Sequence, residues 1–103
     1  MTDLEKVHRD YRAAFLRYLP RRDEAALHSG YELGRAAVAH GVSLLELVRI
    51  HHEVLVPVLL ESGPDELLEV TGAASNFLVE VLATFDMAHR VLHDPAPEPP
   101  VAG

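Results

Sequence analysis

The chain contains no cysteine, and this absence removes several kinds of chemistry at once. Disulfides, thiolate zinc sites and cysteine nucleophiles are all excluded. The glycine-rich motifs of nucleotide sites, GxGxxG and GxxxxGK[ST], are also missing. No serine stands in a nucleophile elbow. We therefore expect no catalytic residue and no cofactor, and an enzyme is the least favoured class of function.

Positive charge is scarce as well. Nine Lys and Arg stand against 16 Asp and Glu, which gives a net charge of −7 and a pI near 5.4. Nucleic-acid binding and polybasic membrane binding both need clustered Lys and Arg. The N-terminus, "MTDLEKVHRDY", carries charges where a secretory signal needs an apolar core, and no uncharged apolar run approaches membrane-spanning length. We expect a cytoplasmic domain that binds neither nucleic acid nor membrane.

Apolar residues make up 49% of the sequence and recur at the spacing of α-helices. The length of the chain is that of one domain. The spacing predicts a first helix from about Thr2 to Leu19, stopped by Pro20. A second helix is predicted from about Arg22 to His40. Gly41 follows it, where a left-handed C-cap is wanted.

The third helix has the clearest start, because Ser43 and Glu46 form a Ser-x-x-Glu capping box. Pro57 predicts a kink or an end near Val56. Two adjoining apolar stripes on this helix predict burial by more than one neighbour: Leu44, Val48, His51 and Leu55, and Leu47, Ile50, Val54 and Val58. The turn "ESGPDE" (61–66) then leads into a fourth helix that ends at about His93.

The fourth helix is long and carries two apolar seams, more than three shorter helices of one chain would cover. We therefore predict an all-α, four-helix domain with a long C-terminal helix, paired as a helical-bundle homodimer. The residues predicted for the dimer interface or core are Leu47, Ile50, Val54, Phe77, Val81 and Phe85.

Composition divides the chain into two parts. Residues 1–93 form the predicted helical domain, for which dimerisation is expected. Residues 94–103, "DPAPEPPVAG", are rich in proline and lack periodicity, as is typical of a linker. We expect this tail to lead to a downstream domain.

Histidines are the remaining candidates for chemistry. In "LVRIHHEVL" (47–55), helix geometry turns His51 and His52 about 100° apart, so they cannot share a metal ion. His51 is in register with apolar neighbours and is predicted to be a hydrogen-bonded structural residue, while His52 points outward. His89 and His93 do share a helical face, but a metal would need a third ligand such as His8. We expect no metal site.

Surface recognition is the function class that remains. Two strips lie outside the apolar stripes: Glu24, His28 and Arg35 on helix two, opposite Leu27, Gly34 and Val38, and Val79, Ala83 and Asp86 on helix four. Small and apolar residues on a polar face can bind another protein. Ordinary packing within the dimer is an equally weighted alternative.

Three stretches carry a family resemblance: "YRAAFLRYL", "ALHSGYELGRAAVAHGVSLLELVRIHHEVL" and "FLVEVLATFDMAHR". Between about Tyr11 and Arg90 the chain resembles the N-terminal domain of RsbU-type phosphatases, bacterial regulators of the general stress response that activate the sigma-B pathway. The joint spacing carries the match. Its elements are Tyr11, Tyr18, Glu24, Leu27, Arg35, His40, Ile50, His51, Val54, Leu55, Phe77, Leu78, Glu80, Val81 and Met87.

The resemblance implies a non-catalytic homodimer that binds an RsbT-like switch kinase, released from a stressosome-like complex. By this partner switching it activates an attached PPM-type serine phosphatase. The family's kinase-facing surface implies Glu24 and His28 on helix two and Val79 and Ala83 on helix four. His28 replaces a typical tyrosine, and Ala83 replaces a larger aliphatic residue. A simple dimerisation module for downstream signalling domains stays open as the alternative.

Overall fold

A computed structural model describes residues 2–93, and over this range the chain forms four α-helices and no strand. The helices are α1 (Asp3–Arg21), α2 (Glu24–Ala39), α3 (Leu44–Glu61) and α4 (Leu67–His93). The predicted all-α class and the long C-terminal helix are confirmed. Met1 and residues 94–103, with the predicted linker, lie outside the described residues.

Side-chain caps fix the starts of the first three helices. The side chain of Thr2 accepts a hydrogen bond from the Glu5 amide at 3.1 Å, and that of Asp23 accepts one from Ala26 at 2.8 Å. At α3 the predicted capping box is complete: Ser43 Oγ accepts from the Glu46 amide, and the Glu46 carboxylate accepts from the Ser43 amide. These bonds satisfy amides that have no partner within their helix.

Pro20 does not stop α1, and this prediction was wrong. The helix continues through Pro20 to Arg21, because a proline in the last turn removes only one backbone bond. The C-cap is Arg22, which adopts a left-handed conformation with φ of 52° and terminates the helix after Arg21. There the Arg22 amide donates to the Tyr18 carbonyl at 2.8 Å.

Pro57 does not end α3 either. The helix extends four residues further, to Glu61. Pro57 is exposed, so water can reach the carbonyl that loses its donor, while Val54 and Val58 on either side pack toward the core. Tertiary packing on both sides of the proline therefore holds the helix together.

The core is centred on one aromatic side chain of α4, Phe77, which is fully buried. Its ring lies 5.3 Å from that of Tyr11, 5.6 Å from Phe15 and 5.5 Å from Tyr18, so one side of α1 packs onto α4. Such aromatic pairs stabilise beyond the area they bury. The six residues predicted for the dimer or core all lie inside the protomer: Leu47, Ile50, Val54, Phe77, Val81 and Phe85.

Helices α2 and α4 run in the same direction and approach each other through glycine. Gly30 lies against the side chains of Phe77 and Val81, and Gly34 one turn later lies against Thr84. A Cβ atom on Gly34 would stand only 2.5 Å from the Val81 carbonyl oxygen. The absence of a side chain at this position is therefore what allows the two backbones to meet.

The two stripes predicted on α3 have different environments. Leu47, Ile50 and Val54 are buried, whereas Leu44 and Val48 are 48% and 40% exposed. Helix α3 packs chiefly on α1 and α4, so one of its apolar stripes is left partly uncovered.

Helix α4 is the one helix among residues 2–93 that is long and apolar enough, by composition, to cross a membrane. A core helix passes the same test, and α4 contributes Val70, Ala74, Phe77 and Val81 to the bundle interior. Its last two turns differ, because Met87, Val91 and Leu92 are 64%, 81% and 63% exposed. These turns carry an apolar surface that the other described residues do not cover.

Candidate functional site

The described residues contain no cluster of three or more His, Asp or Glu side chains placed to hold a metal ion. His8, suggested as a third metal ligand, instead lies 3.5 Å from the Glu53 carboxylate of α3. His89 stacks on Phe85, with ring centroids 5.8 Å apart. The candidate site is the surface formed by α2 and α4.

A groove follows the junction of α2 and α4 toward their C-terminal ends, and we name it the α2/α4 groove. It is lined by Tyr31, Arg35, Val38, Ala39, Thr84, Met87, Ala88, Val91 and Leu92. Most of these side chains are apolar, with one aromatic ring and one guanidinium among them. This composition suits an apolar segment that also presents an acceptor or a negative charge.

One wall of the α2/α4 groove is held by contacts along α2. The Arg35 guanidinium lies 5.8 Å from the centre of the Tyr31 ring, and its Nη1 donates to the Tyr31 hydroxyl at 3.4 Å. On the other face of the ring, His28 stacks at a centroid distance of 5.3 Å. The His28 Nε2 lies 3.1 Å from a Glu32 carboxylate oxygen. These contacts order a polar ladder along the outer flank of α2.

The four residues predicted to bind a partner are all exposed: Glu24, His28, Val79 and Ala83. His28 adjoins the α2/α4 groove through its stacking on Tyr31. Val79 is 65% exposed and lies about 200° around α4 from both Phe77 and Val81, so it points directly away from the core. None of the four lines the groove, and Val79 and Ala83 form a separate outer strip on α4.

The sequence predicts a groove between helices two and four, but not the residues that line it. Helical periodicity places Tyr31 on the inner stripe of α2, whereas in the structure it is only half-buried and forms part of the groove wall. The period also places Val91 on an apolar seam of α4, and the seam continues into turns where Val91 is 81% exposed.

His51 points inward, as predicted, and forms a polar contact in the core. Its Nδ1 lies 2.6 Å from the Tyr11 hydroxyl. Burial raises the Tyr11 pKa well above its usual range, so the hydroxyl stays protonated. Burial, and to a lesser degree the nearby His52, lower the pKa of His51 below its ordinary value.

This lowered pKa predicts a pH-dependent stability. The unfolded chain takes up a proton at His51 more readily than the folded one, so the free energy of unfolding should fall as the pH drops below about 6.5. Replacing His51 with Gln, which keeps an acceptor for Tyr11, should flatten this slope. Urea unfolding of both proteins between pH 8 and pH 5 measures the difference. Parallel slopes for the two proteins would contradict the prediction.

Comparison with known proteins now adds to this geometry. A family model described as "Phosphoserine phosphatase RsbU, N-terminal domain" matches residues 9–88. No curated protein matches the chain, and no solved structure matches it. The matched range begins in the second turn of α1 and ends in α4. It therefore includes the whole aromatic core and the junction of α2 and α4.

The matched model describes a regulatory N-terminal domain and not a catalytic one. Because the match covers well over half of the chain, it establishes the family. The chain therefore belongs to the family of N-terminal regulatory domains of RsbU phosphatases.

Proposed function

We propose that the domain binds an RsbT-like switch kinase through α2 and α4 and thereby activates an attached PPM-type serine phosphatase. It would do so in the cytoplasm, by partner switching within the sigma-B stress response. Family membership supports a regulatory role. The surface assigned to the kinase consists of Glu24 and His28 on α2 and of Val79 and Ala83 on α4.

The observation that carries this proposal is the exposure of Val79. An apolar, β-branched side chain projects into solvent from the face of α4 opposite the core, at 65% exposure. Ala83 continues the strip one turn later without adding bulk. Burying a valine fully against a partner is worth about 1.5–3 kcal/mol, so this strip can anchor a protein interface.

We expect Val79→Asp to weaken kinase binding by at least about 30-fold, because a carboxylate would be desolvated where an apolar contact is lost. The matched control is Val48→Asp, which introduces the same charge at a 40% exposed valine on α3. Isothermal titration of the purified kinase into each variant measures the effect. Unchanged affinity for Val79→Asp would remove this strip from the interface.

We further propose that the domain is a homodimer. The six residues predicted for the dimer interface or core are buried within the protomer. We therefore place the proposed interface on exposed apolar side chains. The last turns of α4 offer Met87, Val91 and Leu92. A helix from a second copy would cover them with apolar surface, as in other helical bundles.

The alternative function is a simple dimerisation module that pairs downstream signalling domains. The uncovered apolar turns at the end of α4 favour it, since they support pairing whether or not a kinase binds. Light scattering with and without kinase separates the two. A dimer that forms no stoichiometric complex with the kinase would select the dimerisation module.

A further inference from the structure

Charge is distributed unevenly along this acidic chain. The first 22 residues contain six of the nine Lys and Arg but only three of the 16 Asp and Glu. This segment therefore carries a formal charge of +3, and the remaining residues carry −10, which together give the net −7. Since the positive segment coincides with α1, one helix of the bundle has the opposite sign to the rest.

The positive charges lie over the exposed half of α1, with Glu5 and Asp10 among them. The buried side of the helix consists of Val7, Tyr11, Ala14, Phe15 and Tyr18. The exposed side presents what we name the basic α1 face: Lys6, Arg9, Arg12, Arg17 and Arg21. This face extends over about 22 Å, from the 1.5 Å rise of an α-helix. At its centre Leu16 is 42% exposed, beside a shallow depression bordered by Arg9 and Arg12.

Little within the described residues neutralises this face. Arg9 pairs with its neighbour Asp10 at 3.3 Å, whereas Arg12, Arg17 and Arg21 form no ion pair among residues 2–93. The spacing also sets like charges beside one another, at i, i+3 for Arg9 and Arg12 and at i, i+4 for Arg17 and Arg21. Such pairs destabilise a helix.

Carboxylates border the basic α1 face on both long sides. Glu32 of α2 shares a depression with Arg17, and Glu53 and Glu61 of α3 share another with Arg12. The negative potential of these carboxylates extends about 8 Å at physiological salt, so an anion within that distance would be repelled. A wide polyanion, such as a membrane surface or duplex nucleic acid, would meet these carboxylates as well as the arginines. A single narrow segment that lies along α1 would avoid them.

We propose that the basic α1 face binds an acidic, carboxylate-rich segment of another protein, about one α1 in length. Guanidinium groups form paired hydrogen bonds with carboxylates, which suits a face built mainly from arginine. Leu16 adds an apolar contact at the centre. The surface lies on α1, which contributes no residue to the proposed kinase site. A second partner can therefore bind there while the kinase is bound.

The test uses the full chain and two synthetic 20-residue helical peptides. One carries Glu along a single face, and the other carries Gln at the same positions. Fluorescence anisotropy gives the affinities at low and at physiological salt. We expect the Glu peptide to bind at least about tenfold more tightly than the Gln peptide and to lose at least about tenfold in affinity at the higher salt, as exposed ion pairs do.

Two triple variants locate the binding surface. Arg12→Gln, Arg17→Gln and Arg21→Gln together should weaken binding of the Glu peptide by about tenfold, because each exposed ion pair contributes a few-fold. The control removes the same charge from outside the basic α1 face: Arg22→Gln, Arg49→Gln and Arg90→Gln. It should change the affinity by less than about threefold. Circular dichroism checks that each variant is folded, and if a triple variant is not, its single variants are compared in the same way.

Several results would overturn the proposal. Equal affinity for the Glu and Gln peptides would show that carboxylates are not recognised. Equal losses in the two triple variants would show that α1 is not the surface. Tighter binding to phosphatidylserine vesicles or to a 20-base-pair DNA duplex, at the same salt, would assign the face to a different polyanion.

Discussion

Gly34→Ala should lower the free energy of unfolding by about 3 kcal/mol, at the upper end of the usual cost of overpacking. An added Cβ would overlap Thr84 Oγ1 and would stand 2.5 Å from the Val81 carbonyl oxygen and 2.8 Å from the Phe85 amide nitrogen. Two of these three atoms belong to the backbone of α4 and cannot turn away. Helices α2 and α4 would have to move apart, and the core side chains beside them would lose packing contacts.

The matched control is Gly72→Ala, also in a helix, where nothing lies within 4 Å of the added atom. This change should raise stability by about 0.5–1 kcal/mol, because alanine favours a helix. Adding Thr84→Ala to Gly34→Ala should restore less than half of the loss, since the clash with the Val81 carbonyl remains. Urea unfolding followed by circular dichroism measures all of these. Wild-type stability in Gly34→Ala would contradict the close approach of α2 and α4.

Phe77→Ala should cost about 4 kcal/mol, within the range measured for truncating buried aromatic residues. Phe77 is fully buried, and its ring lies within 5.3–5.6 Å of the rings of Tyr11, Phe15 and Tyr18. Truncation removes the ring that these three side chains share and leaves a cavity between α1 and α4. For a domain of this size the loss is a large part of the total stability.

Val79→Ala provides the comparison on the same helix. It removes apolar atoms from an exposed position, so stability should change by less than about 0.5 kcal/mol. Phe77→Leu should fall between the two, because leucine fills part of the space. Thermal and urea unfolding of the three variants establish the order. A loss below 1 kcal/mol for Phe77→Ala would show that the ring is not the centre of the core.

The helices and most of the core could be predicted because their signals are local. The capping box at Ser43 needs only residues that are close in sequence, and the 3.6-residue period places Phe77 and Val81 on one face. The prediction at Pro20 was wrong for the same reason, because a local rule ends the helix there although the proline stands in the last turn. Near Pro57 the local rule predicts a kink or an end, and α3 continues to Glu61 with packing on either side of the proline.

The α2 and α4 junction could not be predicted from one helix alone. Its close contacts on α2 are made at Gly30 and Gly34, and glycine gives no hydrophobic signal. Their role depends on what α4 places opposite them. The α2/α4 groove follows from that close approach, so it too required the relative positions of both helices, whereas Val79 on the outer strip could be identified from α4 alone.

The seating of Gly34 against α4 also has a mechanical consequence. The position is enclosed by the Thr84 side chain and by backbone atoms of Val81 and Phe85, so α2 cannot slide along α4 without first moving away from it. The two helices should therefore move as one rigid unit. A displacement of α2 near His28 should be passed to α4 near Val91 without relative motion between the two helices.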